Sequence, residues 1–367
     1  MSKILVTGAK GFIGKHMTKA LLRAGYEVLE YDLENSEEEL KRFINEADFV
    51  VHLAGINRPL SVEEFYNGNT NFTKKLVDFL KISGKNTPIL MSSSTQASLD
   101  NDYGKSKKMG EDYLFASGLP VYVFRLANVF GKWCRPNYNS AAATFMHNIA
   151  HGLPIEIRDP NYVVHYNYVS DIVDTFIKCI GGDIGPSKEV LKVLPVYDCT
   201  LGNLASTLQN FKNAVESEEH LPDIHTDFEY KLFISFLDYL KDDSYSYNFA
   251  EDQRGSFEEL YKNAKYGQIS VNKSFPGIVK GGHYHTYKNE IFMTVQGHCV
   301  TRLRKIDSKE ILVFDQPEHK SVRVFITPNY THDIKNIGNT ESATLMWISE
   351  VYSDKTPDTF RENVDIE

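Results

Sequence analysis

Three groups of residues in this sequence are spaced for chemistry. Tyr103 and Lys107 stand in Y-G-K-S-K, one helical turn apart, so a helix there puts both side chains on one face, and Ser94 precedes them at the end of a strand-like run. A phenol with a pKa of about 10 exchanges protons poorly at neutral pH unless a nearby cation stabilises the phenolate. Lys107 can supply that cation. Ser94 can align a carbonyl oxygen, so that Tyr103 delivers a proton as hydride arrives from a nicotinamide. Upstream, Gly8, Gly11 and Gly14 follow an apolar run in TGAKGFIG. Their spacing, G-x-x-G-x-x-G, departs from the G-x-G-x-x-G fingerprint, yet it still lets backbone N–H groups and a helix N-terminus approach a pyrophosphate. Asp32, closing the next apolar run, would face the adenosine ribose. Far downstream, Gly277, His283, His285, Glu290 and Gly297 are spaced G-x5-H-x-H-x4-E-x6-G, and TPNYTHDIKN adds His332. Alternate strand residues share a face, so His283 and His285 can converge on one ion, with Glu290 entering from the following strand. Three imidazoles and a carboxylate suit a divalent transition metal: zinc, nickel or iron.

The elements that must position these groups follow from pattern. Residues 3–32 read as strand, glycine turn, helix and strand, a βαβ unit. DFVVHLAG (48–55), a helical stretch at 72–82, PILMSSS (88–94), a helix over 103–116 and VYVFRLAN (121–128) continue the alternation. Strands alternating with helices predict a doubly wound parallel sheet of the Rossmann type, covered on both faces. Beyond about residue 243 the pattern changes to short strand-like runs separated by turn signals, which predicts an all-β barrel or jelly roll. The expected division is residues 1–243 and 244–367, with the changeover in the polar, tyrosine-rich DYLKDDSYSYN.

Composition sets the outer limits. A chain of 367 residues suits two domains. Its net charge of −9 argues against non-specific attraction to nucleic acid or an anionic membrane, so an anionic substrate must be met by local groups. The N-terminal residues read as strand and turn rather than as a secretion signal, and no apolar stretch reaches membrane-spanning length. Four separated cysteines with no CxxC pair fit a reducing compartment, and the cytoplasm is expected.

The glycine turn, HLAG (52–55), the serine strand and YxxxK occur in the order found in the extended short-chain dehydrogenase/reductase family, which residues 3–178 resemble. The resemblance implies Ser94, Tyr103 and Lys107 as the catalytic set, with Ser93 and Thr95 as alternatives to Ser94 and Asn71 as the family's helix asparagine. It implies a cofactor lying along Gly8, Lys10, Gly11, Phe12, Ile13, Gly14, Asp32, Leu53, Ala54 and Gly55. Asp32 would favour NADH, whereas Lys10 could meet the 2′-phosphate of NADPH; biosynthetic reduction favours NADPH. RLANVFG (125–131) and YNYVSDIV (166–173) resemble segments of members acting on nucleotide sugars. That likeness implies Asn128, Lys132, Arg135 and Asn137 as substrate-binding residues.

The histidine pattern resembles both cupin motifs, with Asn329 where the second motif usually has glycine; Asn tolerates the left-handed conformation as well. EDQRGSFEEL (251–260) resembles the D-x-R-G-x-F-x-E opening of cupins acting on keto-deoxy-sugar nucleotides. This implies a bound Zn²⁺, or another divalent transition metal, at His283, His285, Glu290 and His332. Candidate acid/base groups are Tyr287, Lys288, Tyr330, His298 and Lys335. A reductase followed by a cupin resembles the bifunctional capsule and O-antigen enzymes of the UDP-N-acetyl-L-fucosamine route. The implied activity is C3 epimerisation of a UDP-linked 4-keto-6-deoxy amino sugar, then NADPH-dependent reduction at C4, by a homodimer. The alternative is a 4-keto reductase whose cupin serves dimerisation or regulation.

Overall fold

A computed structural model describes residues 1–217, 221–240, 249–263, 265–351, 353 and 357–366. Two compact units divide the chain: Met1–Gln209 with His225–Asp242, and Asn210–Ile224 with Asp243–Glu367. The changeover expected at 243/244 lies outside the described residues.

In the first unit, β1 (Lys3–Thr7), β2 (Glu27–Tyr31), β3 (Phe49–His52), β4 (Ile89–Ser94) and β5 (Val121–Leu126) form a parallel sheet in the order β2-β1-β3-β4-β5. All four pairings are parallel, in line with the doubly wound expectation. Covering both faces requires apolar residues at consecutive positions, since neighbours point to opposite sides. Ile4 and Val6 accordingly join a core with Met17, Leu21, Ile172 and Phe176. Leu5 joins the opposite core with Leu40, Ile44, Leu76, Leu80 and Leu114. Strand order reverses at β1, whose neighbours β2 and β3 lead away in opposite directions, and ligands in such sheets sit beyond the strand ends at that point. A smaller sheet, β6 (Asn128–Phe130), β7 (Val163–Tyr168) and β8 (Tyr197–Thr200), completes the strands of this unit.

In the second unit, beyond the helical residues 210–216, the described residues are mostly strands, and every pairing is antiparallel. β9 (Phe249–Asp252), β10 (Gly255–Asn263), β11 (Gly267–Ser274), β13 (Glu290–Gln296), β16 (Arg323–Ile326) and β18 (Ser342–Ile348) form one sheet, ordered β16-β13-β18-β11-β10-β9. β12 (Val279–Tyr284), β14 (His298–Lys305), β15 (Ile311–Pro317), β17 (Tyr330–Asn336) and β19 (Phe360–Arg361) form the other, ordered β15-β14-β17-β12-β19. Phe292, Val324, Ile326 and Met346 of the first sheet share one core with Cys299, Leu303 and Ile334 of the second. Two antiparallel sheets therefore enclose a common interior. No helix among the described residues is long and apolar enough to cross a membrane.

Candidate functional site

The first-unit site lies at the C-terminal ends of the parallel strands. A cavity of about 660 Å³ is lined by Gly8, Lys10, Gly11, Phe12, Ile13, Gly14, Leu53 and Gly55, and on another side by Ser94, Tyr103, Lys107, Asn128 and Arg135. Gly11 caps the helix Phe12–Arg23 without a side-chain hydrogen bond, which leaves first-turn N–H groups for an anion. That helix end, opening on a cavity of this size, fits the pyrophosphate of a dinucleotide.

The structure brings Ser94, Tyr103 and Lys107 together through local packing. Asn101 caps the helix Asp102–Phe115 by accepting from Gly104 N at 2.8 Å. A Cβ at Gly104 would stand 2.1 Å from the carbonyl oxygen of Gln96, so only glycine lets this helix press against the turn that follows Ser94. Burial raises the Tyr103 pKa, partly offset by a hydrogen bond with Ser94, and the phenol stays protonated at neutral pH. Ser93 is engaged elsewhere, donating to the buried Glu111, which is also held bidentately by Arg125 at 2.9 and 2.7 Å. Lys107 is buried, and that burial pushes its pKa down to about 8. Its ammonium lies 3.5 Å from the Ser92 carbonyl oxygen and close against Gly55 and Asn69.

Asn69 is a residue that sequence reasoning misses. Asn71 is exposed and bonds Asn67, whereas Asn69 is buried beside Lys107 and bonds Ile56 N, Ile56 O and Ser106 Oγ. A turn of π-helix, Tyr66–Asn71, shifts the register, and no spacing rule in the sequence announces such a turn. His52 of HLAG is structural: buried and pushed down to about 3, it joins Thr7 Oγ1 at 2.7 Å to Thr73 Oγ1 at 2.9 Å.

Other expected binding residues lie apart from the cavity wall or are engaged within the protein. Asp32 accepts from Lys10 N at 2.7 Å and Leu33 N at 2.9 Å, and Lys10 Nζ pairs with Glu34. Ala54 N lies 3.4 Å from Thr7 Oγ1. Lys132 offers its carbonyl oxygen to His16, and Asn137 N bonds Thr144 Oγ1. Trp133, Cys134 and Tyr138 line the cavity instead, and the Arg135 guanidinium stacks 5.2 Å from the Tyr138 ring.

In the second unit, ligand-capable atoms of His283, His285, Glu290 and His332 lie within 4.8 Å of one another. His283 is brought opposite His332 by a bulge in the β12–β17 ladder. Gly282 is the extra residue, with φ 72°, and beside it Gly281 has φ 112°, where a Cβ would meet the His332 carbonyl oxygen at 2.6 Å. His285 lies past the end of β12, so strand alternation does not hold it as expected. Glu290 Oε2 stands 3.4 Å from His285 Nε2 and 2.9 Å from His332 Nε2, and all three atoms are buried without a hydrogen-bond partner. Buried polar atoms left in this state are costly, and three of them converging on one point fit a metal ion. Burial pushes the His283 pKa down to about 4, with the charge of His332 adding to the effect, and the neutral form is the one that ligates. Asn329 adopts φ 65°, the left-handed turn expected for it.

The acid/base candidates separate. Tyr330 and Lys288 are adjacent to the cluster: the Tyr330 carbonyl oxygen lies 3.2 Å from His332 Nδ1, and Lys288 is buried two residues before Glu290. Tyr287 is exposed. Lys335 points away from the interior, three residues from His332 on the same strand. His298 pairs with Asp315 and begins the strand whose Leu303 opposes His332, roughly 16 Å along by strand rise.

The chain belongs to the NAD dependent epimerase/dehydratase family, whose model matches residues 4–193. Residues 250–360 match the polysaccharide biosynthesis C-terminal domain. Among curated relatives, the UDP-2-acetamido-2,6-beta-L-arabino-hexul-4-ose reductase of Pseudomonas aeruginosa is 39% identical over 98% of both chains. The spore coat polysaccharide biosynthesis protein SpsL of Bacillus subtilis is 28% identical over 29% of this chain and 78% of its own. Among solved structures, the capsular polysaccharide assembling protein CapF of Staphylococcus aureus is 40% identical, with a TM-score of 0.87, over 98% of this chain and all of its own.

Proposed function

We propose that the protein carries out two successive reactions on one UDP-linked sugar. The second unit, a cupin, inverts C3 of UDP-2-acetamido-2,6-dideoxy-4-hexulose, and the first unit then reduces the C4 ketone with NADPH to UDP-2-acetamido-2,6-dideoxy-talose, a precursor of UDP-N-acetyl-L-fucosamine. The observation that carries this reading is that one chain holds both a Ser94–Tyr103 pair above buried Lys107 and a His₃Glu cluster, while a full-length relative bears the name of a hexul-4-ose reductase. We place it in the cytoplasm, as a homodimer.

In the reductase site, Ser94 would hold the C4 oxygen and the Tyr103 phenol would give it a proton. The Gly11 helix end would hold NADPH, whose chemistry when bound would be to supply the hydride for C4. Proton and hydride together turn the ketone into the alcohol. Lys107 stabilises the phenolate left on Tyr103 until the phenol is reprotonated from solvent. Arg135, stacked on Tyr138, and Asn128 would meet the sugar diphosphate.

In the cupin, His283, His285, Glu290 and His332 would hold Zn²⁺ or a similar ion. When bound, such an ion would supply the positive charge that stabilises the electron density left when C3 loses its proton. Tyr330 and Lys288, which flank His332 and Glu290 in the chain, are the acid/base groups proposed. Epimerisation must come first, because reduction removes the carbonyl that acidifies the C3–H.

Product NMR after incubation with the 4-keto precursor in D₂O, with and without NADPH, tests the scheme. Deuterium at C3 without NADPH and the C4 alcohol with it are expected. A C4 alcohol formed with no C3 exchange would favour the second reading, a 4-keto reductase with a non-catalytic cupin, to which the reductase-only name of the Pseudomonas relative also points.

A further inference from the structure

The ligand set of the second unit includes one residue, His285, that no strand holds, because β12 ends at Tyr284. Its ring is held from elsewhere in the chain. His285 Nδ1 hydrogen-bonds the backbone carbonyl oxygen of Asp358, and a carbonyl only accepts, so Nδ1 carries the proton. Nε2 of the neutral ring then presents its lone pair toward Glu290 Oε2. His332 is set the same way by the Tyr330 carbonyl oxygen, but that bond is local, two residues away. Asp358 is 73 positions from His285.

The side chain of Asp358 is bonded as fully as its carbonyl. Its Oδ1 accepts from Thr286 N at 2.9 Å and Thr286 Oγ1 at 2.6 Å, and its Oδ2 accepts from Tyr287 N at 3.1 Å and Lys288 N at 3.2 Å. The residue is 2% exposed. Four donors from the turn between His285 and Glu290 thus converge on one buried carboxylate, fixing the path that carries two ligands.

The rest of the C-terminal segment is anchored to the same sheet. β19 pairs with β12, setting Arg361 opposite His283 and Phe360 opposite Tyr284. Arg304 donates to the carbonyl oxygens of Val364 at 2.8 Å and Asn363 at 2.9 Å and pairs with Glu362 at 2.7 Å. Arg302 pairs with Asp365 at 2.8 Å.

We propose that residues 357–366 form a clasp belonging to the metal site and that Asp358 is the positioning residue for His285. The proposal rests on the metal reading of the His₃Glu cluster given above. Partners that orient a ligating histidine typically change metal affinity by about 10–100-fold when lost. A residue that only holds the fold together would lower stability without selectively changing that affinity.

The test uses the full chain and Zn²⁺ alone, titrated against a competing chelator, with melting temperatures recorded with and without zinc. Asp358→Ala keeps the backbone carbonyl but removes the carboxylate that fixes its position and the ligand-bearing turn, so it is expected to bind zinc more weakly, by up to about 10–100-fold, and to shrink the gap between the two melting temperatures, since ligand stabilisation tracks affinity. Thr286→Val, at an exposed position, removes one donor to the same carboxylate and should weaken zinc binding less, in the same direction; it decides the matter if Asp358→Ala does not fold. His332→Ala is the reference and should lose zinc. Wild-type zinc affinity in the folded Asp358 variant, or in the Thr286 variant where only that one folds, overturns the proposal if His332→Ala loses its metal. Retention of stoichiometric zinc by His332→Ala shows instead that the ligand set is wrong, and the clasp assignment falls with it.

Discussion

The two sites differ in how complete they are as polar assemblies. Around Tyr103, protein groups already satisfy one another: Ser94 Oγ accepts from Gln96 N, Asn69 is held by Ile56 and Ser106, and Ser93 by Glu111. Around Glu290, three buried atoms from three residues point at one another with no hydrogen bond among them. The first arrangement stands finished beside an open cavity fit for small molecules. The second gathers ligand-capable atoms on one point, the geometry of ligands around an ion. A pre-bonded site tunes protons, whereas an orphaned one binds charge.

The sharpest way to break that contrast is to disable one site and watch the other. Tyr103→Phe removes the proposed proton donor and should lower C4 reduction by about 10²–10⁴-fold, the usual worth of a positioned acid. C3 exchange should be untouched, as read by deuterium incorporation. Loss of both activities would show that the two sites do not act separately. At the other site, Glu290→Gln removes the only carboxylate of the cluster and should abolish zinc binding by elemental analysis. Reduction of a substrate already inverted at C3 should persist; a variant that keeps its full zinc content would contradict the ligand set.

How legible each site is in the sequence follows the same contrast. Tyr103 and Lys107 lie on one helix, four residues apart, so sequence spacing states their geometry directly. The glycine turn is equally local. Asn69 escapes such reading because a π-helical turn sets which asparagine of the segment is buried, and nothing in YNGNTN marks that turn. In the second unit the H-x-H pair is legible as a donor set, but strand alternation is the wrong reason for its convergence: a bulge at Gly282 aims His283, and a distant carbonyl fixes His285. Asp358 leaves no trace in spacing, since long-range antiparallel pairing brings its segment to β12. His298 and Lys335 are near the ligands only along the chain; strand length and alternation put them elsewhere.

A pH profile probes the pre-bonded site more finely. Burial holds Lys107 at about 8, below the ordinary lysine value, so its ammonium is present at lower pH and lost as the pH rises through that value. If the charged form is needed to support the Tyr103 phenolate, kcat/KM for reduction should fall about tenfold per unit above pH ~8. Lys107→Arg keeps a cation throughout and should flatten the fall, whatever it does to the absolute rate. A wild-type profile unchanged up to pH ~10 would remove Lys107 from the proton path.

The smallest expected effect concerns the cofactor. Asp32 and Glu34 place two carboxylates just beyond the end of β2, and Lys10 answers Glu34. A 2′-phosphate entering here would compete with Glu34 for the Lys10 ammonium, whereas a 2′-hydroxyl could donate to Asp32 without disturbing that pair. Because this ion pair is largely exposed, its rearrangement costs little, about 1 kcal/mol or less. Lys10→Ala should therefore weaken NADPH by no more than several-fold and leave NADH nearly unchanged, measured as the ratio of kcat/KM for the two cofactors. An equal loss for both would assign Lys10 to the shared pyrophosphate, and with it the discrimination between cofactors to Asp32 alone.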